Sequence, residues 1–374
     1  MYFDLNDEQQ AIKSTAKEFL AARYKSERIR ELIETEHGFD PADWEEMAEL
    51  GWTGLALPEQ WGGQGLGLVE LAVLFEEIGY ALAPSPLFSS TAAGLALATN
   101  GTEAQRERWL PQLASGEARA TLALFDAGRP AVIGGFAMEA RPDGDGVVLD
   151  GAKALVEDAA AADFMLVATS DTRRHLVERD ADGVTIEAEE SIDPTRRLYT
   201  VRFDGVRVDP DATLEGTQEN YRPILWRGAV AVAAESTGVA QRAMEMAVAY
   251  AKEREQFGRP IGAYQAVSHR CAQMLLETEN ARSAVYGAAW AADAEPESLP
   301  KAAAMAKAYA SDAGWRVPDA SIQAHGGIGF TWEHDLHFFL KRGRANASRF
   351  GDARWHREQV ADLVLAEAEA PVPA

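Results

Sequence analysis

Two stretches of the chain carry residue types suited to holding a phosphorylated aromatic ligand. The first is Arg254-Glu255-Gln256-Phe257-Gly258-Arg259-Pro260-Ile261, which ends a long helical run. The planar fork of an arginine matches two phosphate oxygens, and Phe257 can stack on a ring. The same residues also make a plain helix stop, with Arg254 favoured by the helix dipole and Gly258 as terminator. The second stretch is Gln323-Ala324-His325-Gly326-Gly327-Ile328-Gly329-Phe330. Glycines let a cofactor lie against the backbone, and bare amides donate to phosphate or ribose. A simple hinge reads equally well. No strand precedes this turn, so it is not the dinucleotide-binding strand–turn–helix. His334 and His337 stand at i and i+3, a spacing that suits two metal ligands, yet no third ligand is evident. No metal site is expected. Serine-hydrolase and P-loop motifs are absent.

The 374 residues carry a formal charge of −23, which repels a phosphate backbone and disfavours nucleic-acid binding. A single cysteine, Cys271, cannot close an internal disulfide and suggests a reducing compartment. The N-terminus lacks the basic-then-apolar pattern of a signal peptide, and no apolar run is long enough to span a membrane. A cytoplasmic protein is the expectation.

Helices must position the two stretches. Asn6 precedes Gln9 by three residues, close to a capping box, and Ile12, Ala16, Phe19 and Leu20 form one apolar helical face. Helices are predicted near Pro41 to Leu50, Leu68 to Tyr80 and Glu103 to Leu113. Between the first two of these lies the glycine-rich break from Leu57 to Gly65. From about Arg119 to Glu215 the texture turns to short alternating runs: Val147 to Leu149, Phe164 to Ala168, Val184 to Ile186 and Tyr199 to Phe203 read as strands. Asp143-Gly144-Asp145-Gly146 is a turn. Helix returns after Asn220, with runs from Gly228 to Lys252, Gln265 to Trp290 and Lys301 to Ala324, and a last helix from about His334. The tail from Glu367 to Ala374 reads as frayed. The expected organisation is a helical domain over residues 1–118, a β domain over 119–215 and a helical bundle over 216–374.

Together these pieces resemble the acyl-CoA dehydrogenase family. The resemblance rests on Leu5 to Gln9, on Leu57-Pro58-Glu59 through Gly65 with Glu76-Glu77-Ile78-Gly79, and on Gly238 to Ala243. Arg254-x-x-Phe257-Gly258, Gln265 and Gln323-x-x-Gly326-Gly327-x-Gly329-Phe330 complete it. It covers nearly the whole chain. It implies a mostly α fold with a helical N-terminal domain, a middle β-barrel and a C-terminal four-helix bundle. It also implies FAD bound across a dimer interface within a tetramer. By that likeness Arg254 contacts the FAD pyrophosphate of a neighbouring subunit and Phe257 lines the adenosine half. Gln265, Gln323, Gly326 and Gly327 fall at cofactor-binding positions. The implied reaction is α,β-desaturation of an acyl-CoA thioester: a glutamate takes the α-proton, the flavin takes the β-hydride, and an electron-transfer flavoprotein reoxidises it.

The chain departs from the family where the proton must go. Most members place the base in a Tyr-Glu-Gly-Thr motif, and the matching stretch here is Arg349-Phe350-Gly351-Asp352. Others place it on the long bundle helix, where Gly228 stands. Neither Phe350 nor Gly228 accepts a proton. Asp352 and Glu235 are the substitute candidates. Glu235 in an Ala/Val-rich helix must have a partner, and Arg242, two turns on, or another arginine is the expected one. Gly228 in place of a larger residue suggests room for a bulky acyl group. In the middle domain Leu124-Phe125-Asp126-Ala127-Gly128 replaces the flavin-facing segment, and Leu155-Val156-Glu157 follows Lys153 where Trp-Ile-Thr is usual. Glu157 would thus set an anion near flavin N5 and disfavour reduced flavin.

Members lacking the Glu-Gly-Thr motif but carrying a stretch like Gly329-Phe330-Thr331-Trp332-Glu333-His334 resemble subunits of heteromeric acyl-CoA dehydrogenases, some acting on steroid or other bulky thioesters. The leading expectation is such a subunit, paired with a second dehydrogenase-like chain. Two alternatives stand beside it: a self-sufficient homotetramer with a relocated base, and a flavin-free acyl-CoA-binding scaffold.

Overall fold

Asn6 starts the first helix as its sequence suggests: its Oδ1 accepts the Gln9 N–H at 2.8 Å and its own N–H donates to Gln9 Oε1 at 3.0 Å. The structure is a computed structural model describing residues 4–129, 135–216 and 218–369. The Pro-Val-Pro-Ala end lies outside the described residues. In chain order the elements are α1 (Asp7–Arg23), α2 (Ser26–Leu32), α3 (Pro41–Glu49), α4 (Leu68–Ala81), α5 (Leu87–Asn100) and α6 (Glu103–Ala114). Then come β1 (Ala120–Ala123), β2 (Phe125–Asp126), β3 (Ala140–Asp143), β4 (Gly146–Glu157), β5 (Phe164–Ala168), β6 (Arg174–Glu178), β7 (Val184–Glu189) and β8 (Leu198–Val208). The C-terminal part runs α7 (Gln218–Glu253), β9 (Glu255–Gln256), β10 (Arg259–Pro260), α8 (Gln265–Ala294), α9 (Leu299–His325), α10 (Leu336–Ser348) and α11 (Ala353–Glu369).

The chain divides into two compact units, each threaded by more than one segment. The first comprises residues 1–29, 67–83 and 226–374, and the second residues 30–66 and 84–225. The second unit holds β1 to β8. Among the described residues they form a five-stranded sheet in which β2, β4, β8 and β7 lie side by side and β3 pairs with β4, and a three-stranded sheet ordered β1-β5-β6. The β3–β4 hairpin turns at the expected Asp143–Gly146 pair. Leu149, Val156, Met165, Val167, Val201 and Phe203 pack into one cluster, consistent with inward-facing positions of paired strands. β5 is buried along its whole length, so it shows a continuous apolar run rather than alternation.

The first unit is helical, and glycine sets how closely its helices cross. A Cβ on Gly238 of α7 would lie 1.8 Å from the Glu76 carbonyl oxygen of α4. One on Gly79 of α4 would lie 2.0 Å from the Glu235 carbonyl oxygen of α7. Across α9 and α10, a Cβ on Gly343 would meet the Gly314 carbonyl oxygen at 1.9 Å. The backbones touch where a side chain would otherwise separate them. α7 is accordingly buried from Ala229 through Ala240. Gly238→Ala forces a methyl into backbone and is expected to lower stability by about 1–3 kcal/mol, read as a reduced urea midpoint with an unchanged slope.

Candidate active site

Both ligand-suited stretches lie in the first unit, at neighbouring helix ends. Tyr250, in the last turn of α7, stacks on His325, the last residue of α9, with ring centroids 4.4 Å apart. Ser321 Oγ of α9 donates to the Ala243 carbonyl of α7 at 2.7 Å. The helix ends therefore adjoin, and the residues beyond them are open. Arg254 follows α7 directly and is exposed, with no side-chain partner among the described residues. Gln256 and Arg259 pair across a two-residue hairpin turn made by Phe257 (φ 53°) and Gly258 (φ 77°), the backbone of a type I′ turn. Left-handed backbone at a bulky residue is uncommon. Here it leaves Phe257 at 93% exposure. Gln265 opens α8, exposed. Gln323 is exposed on α9, and beside Gly326 and Gly327 there is open space where side chains would stand. Phe330 and Trp332 continue the exposed apolar surface at 84% and 57%.

The two positions from which a base was sought face one another. A Cβ on Gly228 would lie 2.5 Å from Cε1 of the Phe350 ring. The space inferred from glycine at 228 is thus filled by Phe350, which corrects the expectation of room there. Trp226 stacks with Trp355 at 5.6 Å beside the same pair.

Glu235 is fully buried and bound to two arginines: Arg342 Nη1 donates to Oε1, and Arg349 Nη1 to Oε2 at 3.2 Å. The expectation of an arginine partner holds, but the partners are these two from further along the chain rather than Arg242. Arg242 instead lies over the Tyr80 ring, its Cζ 5.3 Å from the centroid. Asp352 is exposed, and its carboxylate accepts the Trp355 N–H at 2.8 Å, capping α11. Both candidate bases therefore hold structural bonds.

In the second unit Glu157 is also paired. Arg196 Nη1 donates to its Oε2 at 3.0 Å, with both side chains largely buried. A bare anion at this position, expected from sequence, is not what the fold presents. Asp126 accepts from Lys153 Nζ at 2.8 Å and from the Ala137 and Met138 N–H groups at 2.7 and 3.0 Å. Burial works to raise its carboxyl, but these bonds hold it below the usual range. Lys153 also donates to the Leu124 carbonyl at 3.1 Å, and burial pushes its amine down.

His334 and His337 do not converge: His334 packs edge-on against His325, and His337 stacks on Trp332. Among the described residues no cluster of metal-ligating side chains occurs.

The family model described as acyl-CoA dehydrogenase, N-terminal domain, matches residues 6–117, and that of the C-terminal domain matches residues 223–365. The chain belongs to the acyl-CoA dehydrogenase family. Acyl-CoA dehydrogenase IpdE2 of Mycolicibacterium smegmatis is 32% identical to it over 351 residues, covering 94% of this chain and 96% of that protein. Among solved structures, a variant of the Tcur3481-Tcur3483 steroid acyl-CoA dehydrogenase is similar with a TM-score of 0.89 and 33% identity, covering 97% of this chain and 99% of that one. The ChsE4-ChsE5 complex from Mycobacterium tuberculosis gives a TM-score of 0.89 at 27% identity over 100% of both chains. The fold and the oxidoreductase class acting on CH–CH bonds follow from this membership.

Two expectations follow from the carboxylates. Glu235→Gln leaves two buried arginines short of charge and should cost about 3 kcal/mol or more, seen as a lower denaturation midpoint. Asp352→Asn keeps a good cap and should stay within about 0.5 kcal/mol. A Glu235→Gln protein of unchanged stability that had lost turnover would instead make Glu235 a base. His356 adds a pH dependence. Burial, with Lys307 close by, lowers its pKa from 6.5 to about 4. The neutral ring's contribution is complete above 6.5 and is lost as pH falls towards 4. Thermal midpoints should drop across that window, and less so in His356→Gln.

Proposed function

We propose that this chain is one subunit of a heteromeric, FAD-dependent acyl-CoA dehydrogenase and that a second dehydrogenase-like chain supplies the catalytic base. One observation carries this reading: Phe350 lies on Gly228, so both positions expected to provide the proton acceptor are apolar and closed against each other. Glu235 is neutralised by two arginines and Asp352 caps a helix, so neither substitutes. The relatives point the same way, since the ChsE4-ChsE5 structure is itself a complex of two chains.

The cofactor is FAD, and the residues present suit its nucleotide half. Arg254 offers an exposed guanidinium free to meet a pyrophosphate, and Phe257 a nearly bare ring. Gln265 and Gln323 offer exposed amides, and Gly326 and Gly327 leave their backbone open to a planar ligand. FAD held there would supply the acceptor for the hydride that leaves the β-carbon of the thioester. This chain's own part is to bind and orient: its arginine neutralises phosphate charge and its glycine turn admits close approach. Reoxidation by an electron-transfer flavoprotein and a cytoplasmic location complete the reading. Among the described residues no helix is long and apolar enough to cross a membrane.

Purified alone, the chain is expected to carry little flavin and show negligible turnover with acyl-CoA. Co-expression with its partner should give a yellow, active assembly. Full flavin loading and robust turnover of the single chain would overturn the proposal in favour of a homotetramer. In the assembly, Arg254→Ala should weaken FAD about ten- to a hundredfold, the loss of a charge-assisted hydrogen bond. Its thermal midpoint without flavin should not move, because the side chain is exposed and unpartnered.

A further inference from the structure

A cavity of about 420 Å³ opens within the helical unit, between α1, α2, α4, α7 and α10. None of Arg254, Phe257, Gln265, Gln323, Gly228 and Phe350 lines it, so it is separate from every position discussed above. One face of α1 builds its first wall: Lys17, Leu20 and Ala21, with Tyr24 just past the helix end, recur at i, i+3, i+4 and i+7. Arg242 and Met246, one turn apart on α7, face them across the opening.

The cavity has two chemically different parts. Its floor is apolar: Leu20, Tyr24, Ile29, Leu82, Phe338 and Phe339 are each at most 8% exposed. Its rim is cationic: Lys17, Lys25 and Arg242 are all exposed. On a chain of net charge −23 this is a local reversal of sign. The two carboxylates in the lining are already engaged. Asp335 Oδ1 accepts from Ser26 Oγ at 2.7 Å. Glu77 is buried, with Lys13 Nζ at 3.8 Å and Lys17 also in its field. Lys25 has no side-chain partner among the described residues. The Arg242 guanidinium rests over the Tyr80 ring, its Cζ 5.3 Å from the centroid, and Nη1 donates to Tyr80 Oη at 3.3 Å. Its other N–H donors have no partner among the described residues. The ring thus holds a cation in place without neutralising it.

We propose that this cavity is a second ligand site, taking a small amphipathic anion whose apolar body covers the floor and whose carboxylate or phosphate head meets Arg242 and Lys25. The volume lies in the usual range for small-ligand pockets, which pair apolar walls with a few placed polar groups. Arginine supplies the directional, charge-assisted bonds. The proposal does not depend on the acyl-CoA dehydrogenase reading.

The test is calorimetric titration of the full chain, with its partner where it needs one. The probes are octanoate and octyl phosphate, with acetate and 1-octanol as controls for head without body and body without head. At least one of the two amphipathic anions should bind saturably, and the tighter one names the head group. Both controls should bind about tenfold more weakly or worse. Arg242→Ala and Lys25→Ala should each weaken the preferred anion about tenfold, the loss of a hydrogen bond to a charged group. Ala21→Trp keeps the charges, fills the space and should abolish binding. Lys25 and Ala21 are exposed, so these two variants do not put folding at stake. Absence of binding by both anions overturns the proposal. So does binding that all three variants leave unchanged, which puts the ligand elsewhere, or acetate binding as tightly as octanoate, which leaves the floor unused. Acyl-CoA titrations of the same variants keep the two readings apart: wild-type thioester affinity in Ala21→Trp with octanoate binding lost supports a separate site, and joint loss of both overturns it.

Discussion

The buried charge of Glu235 is the constraint on which the helical unit depends. Isolated, such a carboxylate would lose many kcal/mol of hydration. Two guanidinium groups, from Arg342 in α10 and Arg349 just beyond it, replace the water. This ties the middle of α7 to the end of α10 with directional bonds that apolar packing alone does not supply. The glycines make it geometrically possible. Gly79, Gly238, Gly314 and Gly343 let α4, α7, α9 and α10 approach to backbone contact around the pair. A pair of this kind is weak evidence for net stability but strong evidence for a fixed arrangement, because breaking it leaves charge stranded.

Much of this arrangement was legible in the sequence, and the exceptions have physical causes. α1, α3, α4 and α6 follow their capping and apolar spacing, and the β3–β4 hairpin its turn residues. α5 escapes the pattern because Leu-Phe-Ser-Ser-Thr-Ala-Ala-Gly is buried nearly all round and shows no stripe. β6 escapes because it buries Arg174 and His175, whose partners lie elsewhere: Arg174 lies between the Phe136 and Tyr221 rings, and His175 sits between Thr169 and Thr213. The end of α10 and the start of α11 merge in sequence. The break between them is a Phe-Gly turn held by side chains, not by proline.

The site was readable in its residue types and unreadable in its pairings. Spacing along one helix offers Arg242 to Glu235, but two turns along an axis is about 10 Å, too far for contact. The true partners come from 107 and 114 residues away. Arg196 is likewise invisible from Glu157, because β4 and β8 meet only once the sheet is formed. Composition can show that a buried carboxylate needs a cation. Only the fold chooses which one, and here the choice turns a suspected base into an anchor and a suspected stray anion into half of an ion pair.

The same reasoning joins two departures that look independent along the chain. Glycine at 228 and phenylalanine at 350 each remove a possible base, and in isolation each is a simple loss. In the folded chain they are one packing solution. The ring fits only because position 228 has no side chain, and a side chain at 228 is excluded while the ring is there. Close packing couples such neighbours so strongly that one cannot be changed without the other feeling it. A carboxylate introduced at 228 alone would therefore meet a filled space, and one introduced at 350 alone would give up the ring that packs on Gly228. The absence of a carboxylate at both positions is built into the way α7 meets the α10–α11 turn.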